Sequence, residues 1–151
     1  MAVGSKPNTN TLMRRLFKAP DLDSYFQKNE DQMKTPDFYT LLKTLCEERS
    51  LSHAQVIKRA QIERTYGHQL FNGTRRPSRD KVILLAFGLG LGVEETQQLL
   101  RAAGKNQLYP RLKRDAVILY GIQKEQSVFT VQENLNAYGL TLLGGLHDEC
   151  K

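Results

Sequence analysis

The chain has 151 residues, 40% hydrophobic and 25% charged, with a net charge of +6. That is the size of one compact domain, or of a small domain with appendages, in an ordinary soluble composition. Its longest apolar run, from Val82 to Val93 with interspersed glycines, falls short of the roughly 20 residues that a membrane helix needs, and no apolar leader segment opens the chain, so a cytoplasmic protein without membrane contact is expected.

The predicted elements are all helical, because valine and isoleucine nowhere alternate at period two over a strand length. Residues 1–8 read as disordered. Residues 9–18, with Leu12, Met13, Leu16 and Phe17, form a short amphipathic helix that Pro20 ends, and Leu22, Tyr25 and Phe26 repeat the spacing in a second. These five aromatic and leucine side chains, Leu12, Leu16, Phe17, Tyr25 and Phe26, are read as core rather than interface. Gln27 to Lys34 reads as a linker. Thr35 then reads as an N-cap, with Pro36 at the first helical position and Asp37 in the first turn, and Phe38, Leu41, Leu42 and Leu45 line one face as far as Arg49.

Ser52 followed by Gln55 is a capping box, with Leu51 and Val56 as its hydrophobic staple. Val56, Ile57 and Ala60 should face inward. After a break at Gln61-Ile62, a helix of about 64–71 leads into the loop Asn72 to Ser78. Ser78 caps the next helix, which Gly88, Gly90 and Gly92 end; Glu94 and Glu95 open another, closed by Gly104. Residues 111–125 form a sixth strong helix with Ala116, Leu119, Tyr120 and Ile122 apolar. Thr130 with Glu133 reads as a second capping box, Phe129 as its staple, and Gly139 as the end of the last helix. Residues 140–151 read as a mostly irregular tail. A shift of 78 lays Asp37 on Asp115, Leu41 on Leu119 and Gln55 on Glu133; so few matches fit convergent helix-pair grammar better than duplication.

Charge and chemistry point the same way. Between residues 58 and 81 lie seven cations, Lys58, Arg59, Arg64, Arg75, Arg76, Arg79 and Lys81, against Glu63 and Asp80, which is five of the six excess charges. Such concentration is the footprint expected of a nucleic-acid contact, although a solvated helix face has the same look. Cys46 and Cys150 lack metal-ligand spacing and read as reduced thiols, Cys46 in a core. The histidines are scattered, no phosphate-binding loop follows a strand, and no nucleophile stands with a base, so no enzyme, metal or cofactor is expected.

Two short helices joined by a tight turn within residues 52–78 are a candidate helix-turn-helix, which offers the N-terminal part of its second helix to a DNA major groove. Here the sequence resembles the lambda-repressor-like (XRE) helix-turn-helix family over about residues 37–100: Ser52 and Gln55 at the start of its second helix, Ile62 in the turn, Gly73, Arg75 and Pro77 in its Gly-x-Arg-x-Pro loop, and Leu85, Leu89, Val93 and Leu99 in its closing ladder. The resemblance implies an all-α fold with a five-helix core; beyond it the chain's own pattern adds short N-terminal helices and a two-helix C-terminal extension, dividing the chain as residues 1–34, 35–104 and 105–151. It also implies a sequence-specific transcriptional regulator of double-stranded DNA, with Arg64, Thr65, His68 and Gln69 toward base edges and Ser52, His53, Asn72, Arg75 and Arg76 toward phosphates. Departures from the family begin with three positions: Gln61 stands where glycine is usual, Gly67 where a large apolar residue is usual, and Phe71 where a polar one is, and a fourth is coupled to Gly67. Ile57 replaces the usual alanine, so Ile57 and Gly67 read as a compensated pair. Tyr66 and Phe71 together suggest an aromatic surface, and with the C-terminal helices they keep open a protein-interaction adaptor. The extension can also wrap the core or build a homodimer interface.

Overall fold

The computed structural model of the protein describes residues 9–30 and 37–145, in two compact units. Residues 1–8, the remainder of the linker, the Thr35-Pro36 start and Cys150 lie outside the described residues. Those described form nine α-helices and no strand.

In the first unit, α1 (Thr9–Lys18) and α2 (Leu22–Lys28) form a helical hairpin turned at Pro20. Asp21 caps α2 by accepting from the Ser24 amide, and those hydrogen bonds hold its carboxyl below the usual range. Arg15 Nη1 donates to Asn29 Oδ1 at 2.8 Å, and Asn29 Nδ2 donates to the Tyr25 carbonyl. Tyr25 is buried, whereas Phe17 and Phe26 are exposed, contrary to the expectation that all belong to a core. Two short helices share only one seam, and that seam cannot enclose both faces of each.

The second unit is built from helical hairpins. They comprise α3 (Phe38–Glu48) with α4 (His53–Arg59), then α5 (Arg64–Asn72), then α6 (Arg79–Leu89) with α7 (Val93–Ala102), then α8 (Lys113–Gln123) with α9 (Val128–Ala137). The expected cap is corrected: Asp37, not Thr35, caps α3, its carboxylate accepting from the Thr40 amide. Ser78 caps α6, and the complete Ser52–Gln55 capping box opens α4. Hairpin turns pass through one left-handed residue, Ser50, Gly90 or Glu125, after which an amide bonds back five residues: Leu51 to Cys46, Leu91 to Ala86, Gln126 to Gly121. This is the Schellman closure, which satisfies orphan carbonyls at a helix end. One apolar core runs through the unit, with Leu42, Val56, Leu70, Ile83, Leu85, Leu99, Ile118 and Leu135 fully enclosed and Cys46 among them. Burial raises the Cys46 thiol pKa, as expected of an inert core cysteine.

Several local expectations are corrected. Gly88 does not end α6 but lies inside it, where an added Cβ would stand 2.5 Å from the Val56 carbonyl oxygen and 3.0 Å from Ala60 Cβ; it lets α6 approach α4. Gly90 supplies the left-handed residue and Gly92 the N-cap of α7. The cap of α9 is Ser127, accepting from the Thr130 amide, and Phe129 is exposed, so Thr130–Glu133 is not a capping box. On α8 the inward face carries Ile118 and Ile122, while Tyr120 is exposed. Residues 140–145 are not a loose tail: Leu143 is buried, and its amide and carbonyl are both held by Gln132.

The chain repeats at a spacing of 35, not 78. Arg79-Asp80 returns as Arg114-Asp115, Val82-Ile83-Leu84 as Val117-Ile118-Leu119, Gln97 as Gln132, Gly104 as Gly139 and Leu108 as Leu143. The repeat extends to bonding. Gln97 clamps Leu108 through Nε2 to its carbonyl (2.9 Å) and Oε1 from its amide (2.8 Å), and Gln132 clamps Leu143 at the same distances. The ion pairs are exchanged between the two copies: Arg79 binds Asp115 through both oxygens, and Arg114 binds Asp80 likewise, at 2.8–3.1 Å. Each arginine also donates to two carbonyls of its own repeat, Asn106 and Gln107 or Thr141 and Leu142. The amide of Tyr109 reaches Asp115, and that of Gly144 reaches Asp80. A contact i to j matched by j to i is the isologous pattern of a twofold relation, here within one chain.

Both aspartates are nearly fully buried, and each accepts a bidentate guanidinium and an amide. Removing one partner strands a buried charge, which costs about 3–5 kcal/mol. Arg114→Ala is therefore expected to destabilise by that amount, and Asp80→Ala similarly. The double variant should lose much less than the sum, as read from urea unfolding.

Candidate nucleic-acid interface

Helices α4 and α5 meet at a close crossing. An ideal Cβ on Gly67 would stand 2.5, 2.7 and 2.9 Å from Cγ2, Cγ1 and Cδ1 of Ile57. The bulk of Ile57 occupies the space a side chain at 67 would need, as the compensated pair requires. Gln61 takes the left-handed conformation with φ +58°, which costs a non-glycine residue about 1–2 kcal/mol. The turn holds because Gln61 and Ile62 donate to the Lys58 and Ile57 carbonyls and Ile62 is buried; burial of such a side chain contributes about 1.5–3 kcal/mol. The Glu63 carboxylate caps α5, accepting from the Thr65 and Tyr66 amides. Sequence reasoning passed over this cap, although a carboxylate directly before Arg64 was its visible signal. It fills the N-terminus of α5 with negative charge, so phosphate contacts must be sought elsewhere.

Burial divides α5 sharply. Gly67, Leu70 and Phe71 are buried, Arg64, Thr65 and Asn72 are exposed, and His68 and Gln69 are half-buried. The four residues expected to face bases thus lie on the outer side, at positions i, i+1, i+4 and i+5. Phe71 is corrected: it is buried at 3% and stacks on the His53 ring with centroids 4.1 Å apart. Tyr66 is half-buried, with the Arg75 guanidinium 4.4 Å and Lys81 Nζ 5.0 Å from its ring centroid. The two aromatics therefore form no exposed surface.

The phosphate candidates separate by environment. Ser52 is exposed, its hydroxyl accepting from the Gln55 amide. His53 begins α4, and burial, then Lys43 and His68, hold its pKa below the ordinary 6.5, which favours the neutral ring. Asn72 Oδ1 accepts from the Thr74 amide and tightens the loop after the left-handed Gly73. Arg76 is exposed. Arg75 is exposed, its Nε donating to Gln69 Oε1 at 3.1 Å and its amide to the Gln69 carbonyl. Arg79 leaves the basic patch altogether, being bound to Asp115. No group of three His, Cys, Asp or Glu suited to a metal occurs among the described residues, and no helix among them is long and apolar enough to cross a membrane.

Residues 38–99 match the family model described as a helix-turn-helix domain. No curated protein and no solved structure matches the chain.

Two outcomes follow for this region. Gly67→Ala should destabilise by about 1–3 kcal/mol through overpacking on Ile57. In an Ile57→Ala background the same change should stabilise by up to about 1 kcal/mol, because only the helix-propensity gain remains; paired unfolding curves test the sign reversal. For His53, the unfolded ring takes up a proton before the folded one, so stability is full above the unfolded pKa and falls as pH drops through it. Thermal midpoints measured between about pH 7.5 and 5.5 should decline toward acid, and less so in His53→Gln.

Proposed function

We propose that the chain, whose residues 38–99 match the helix-turn-helix domain model, is a lambda-repressor-like, sequence-specific DNA-binding transcriptional regulator of the cytoplasm. It lays α5 in the major groove of double-stranded DNA. The observation that carries this reading is the division of α5: Leu70, Phe71 and Gly67 anchor it, leaving Arg64, Thr65, His68 and Gln69 on the outer side. Arg64 has the fork geometry for guanine O6 and N7. Thr65 and His68 flank it, and Gln69 reaches the groove joined to Arg75. Ser52 and His53 approach the backbone from α4, and Asn72, Arg75 and Arg76 from the loop after α5. His53 supports this as a hydrogen-bond donor whose protonation a neighbouring phosphate would favour.

A protein-interaction adaptor retains one specific observation, the exposed aromatics Tyr120, Phe129 and Tyr138 of the C-terminal hairpin; the burial of Phe71 removes the other.

The test begins with selection of bound duplexes from a random DNA pool. Arg64→Ala should then weaken the selected site by about 1–3 kcal/mol and relax preference at one position, while binding to scrambled DNA changes little. An equal loss on both DNAs would refute base reading by Arg64.

A further inference from the structure

The turns of three hairpins, α3–α4, α6–α7 and α8–α9, and the turn between α4 and α5 open onto one pocket of about 1050 Å³. Left-handed Gln61, Gly90 and Glu125 line it, as do Arg49 and Leu51 on either side of left-handed Ser50. Small organic molecules occupy clefts of about 300–1,000 Å³, so the pocket has room for one. Each hairpin turn closes its own backbone, Leu51 onto Cys46, Leu91 onto Ala86 and Gln126 onto Gly121. The side chains therefore decide what the pocket can hold.

Its charge is unbalanced. Arg49 is committed to Glu95 at 2.6 Å. Lys58 and Arg59, in the last turn of α4, are exposed and form no ion pair among the described residues. Arg59 Nη2 lies 3.7 Å from the place a Cβ on Gly90 would take, so its guanidinium is held over the α6–α7 turn. Among the described residues lining the pocket, the one carboxylate is that of Glu125. Two cations against one anion leave an excess of positive charge. Gly92, also in the lining, begins α7 without a side-chain cap.

Gln126 defines the uncharged part of the ligand. It stands where the other two hairpins carry Leu51 and Leu91, as the residue whose amide closes the turn. Leucine is buried there without a polar group, whereas Gln126 Oε1 is buried and has no hydrogen-bond partner. A buried acceptor left unpaired is destabilising, so its retention calls for a use. A Cβ on Gly121 would stand 3.2 Å from that oxygen and 3.6 Å from Phe87 Cζ, so the amide and the half-buried ring come together over a glycine. A flat body laid on Phe87 brings its edge to the Gln126 amide. A rotation of that side chain then lets Oε1 accept from an N–H or O–H on the edge.

We propose that this pocket binds a flat organic anion: its carboxylate or phosphate pairs with Lys58 and Arg59, its ring lies on Phe87, and its hydrogen-bond donor meets Gln126. Such a ligand touches the α4–α5 turn and the α8–α9 hairpin at once. The site goes beyond the DNA-binding reading, and its test needs no DNA.

The full chain, labelled with nitrogen-15, is titrated separately with indole-3-acetate and with adenosine monophosphate. Both have a flat body and an N–H donor, and they differ in the anionic group, so the tighter of the two identifies the head that the site takes. Binding should shift the amides of Gln61, Gly90, Gly92 and Gln126 and raise the thermal midpoint. Lys58→Ala with Arg59→Ala should weaken the tighter probe at least about tenfold, as expected on losing charge-assisted hydrogen bonds. Arg101→Ala with Lys113→Ala removes the same charge from exposed positions outside the lining and should leave binding within about twofold. Gln126→Leu should raise the midpoint of the free protein yet weaken the probe about two- to tenfold. If neither probe shifts these amides at millimolar concentration, or if the two double variants lose equally, the site is overturned and the DNA-binding reading stands. If Gln126→Leu raises the midpoint but binds undiminished, the donor contact is overturned and Gln126 is structural.

Discussion

The reciprocal exchange of Arg79 with Asp115 and Arg114 with Asp80 is the constraint on which the second unit depends. These charges lie at the first turns of α6 and α8, where both helices need their N-termini fixed. Each guanidinium is satisfied by a carboxylate of the other repeat and by carbonyls of its own. Each aspartate collects an amide from the segment that ends the other hairpin. One network therefore sets the register of α6 against α8 and ties down residues 105–109 and 140–145, which contain little regular structure. Neither hairpin can shift without leaving a buried charge unpaired, and that penalty exceeds what a few apolar contacts could offset.

Through α6 the constraint reaches the helix-turn-helix. Gly88 lets α6 come against the backbone of α4 at Val56, and on α4 Ile57 fills the space left by Gly67 of α5. Small residues at both crossings draw the helices together, and Ile57 sets how close α5 can come. The outward face of α5, with Arg64, Thr65, His68 and Gln69, is oriented by these two contacts. His53 on Phe71 seals the opposite edge, joining the start of α4 to the end of α5. The C-terminal hairpin is thus part of the scaffold that holds the candidate interface, as well as an extension of it.

The basic stretch from 58 to 81 contains cations of two kinds that composition cannot separate. Arg79 serves architecture, its charge cancelled by Asp115. Arg64 and Arg76 are exposed, and Arg75 and Lys81 surround Tyr66. Glu63 places an anion at the head of α5, whereas the exposed Arg75 and Arg76 lie beyond its end.

Much was legible from local chemistry. The Ser52–Gln55 box, the cap at Ser78, and the C-terminal glycines 104 and 139 act within a few residues of themselves, so these helix ends could be read from spacing alone, while the outward residues of α5 followed from the family resemblance. Even Ile57 and Gly67, on different helices, were legible as a pair because two departures from one pattern compensate in volume. What spacing could not reveal depends on residues far apart in the chain. Whether Arg79 faces DNA or Asp115, whether Phe71 is exposed or lies under His53, and whether Arg75 hangs free or folds onto Tyr66 are decided by which groups the fold brings within a few ångströms. The 35-residue repeat was present in the letters, but its meaning was not: an Arg-Asp dipeptide at a helix start has the same sequence whether it pairs with solvent or with its own copy, and only the packing of α6 against α8 distinguishes the two.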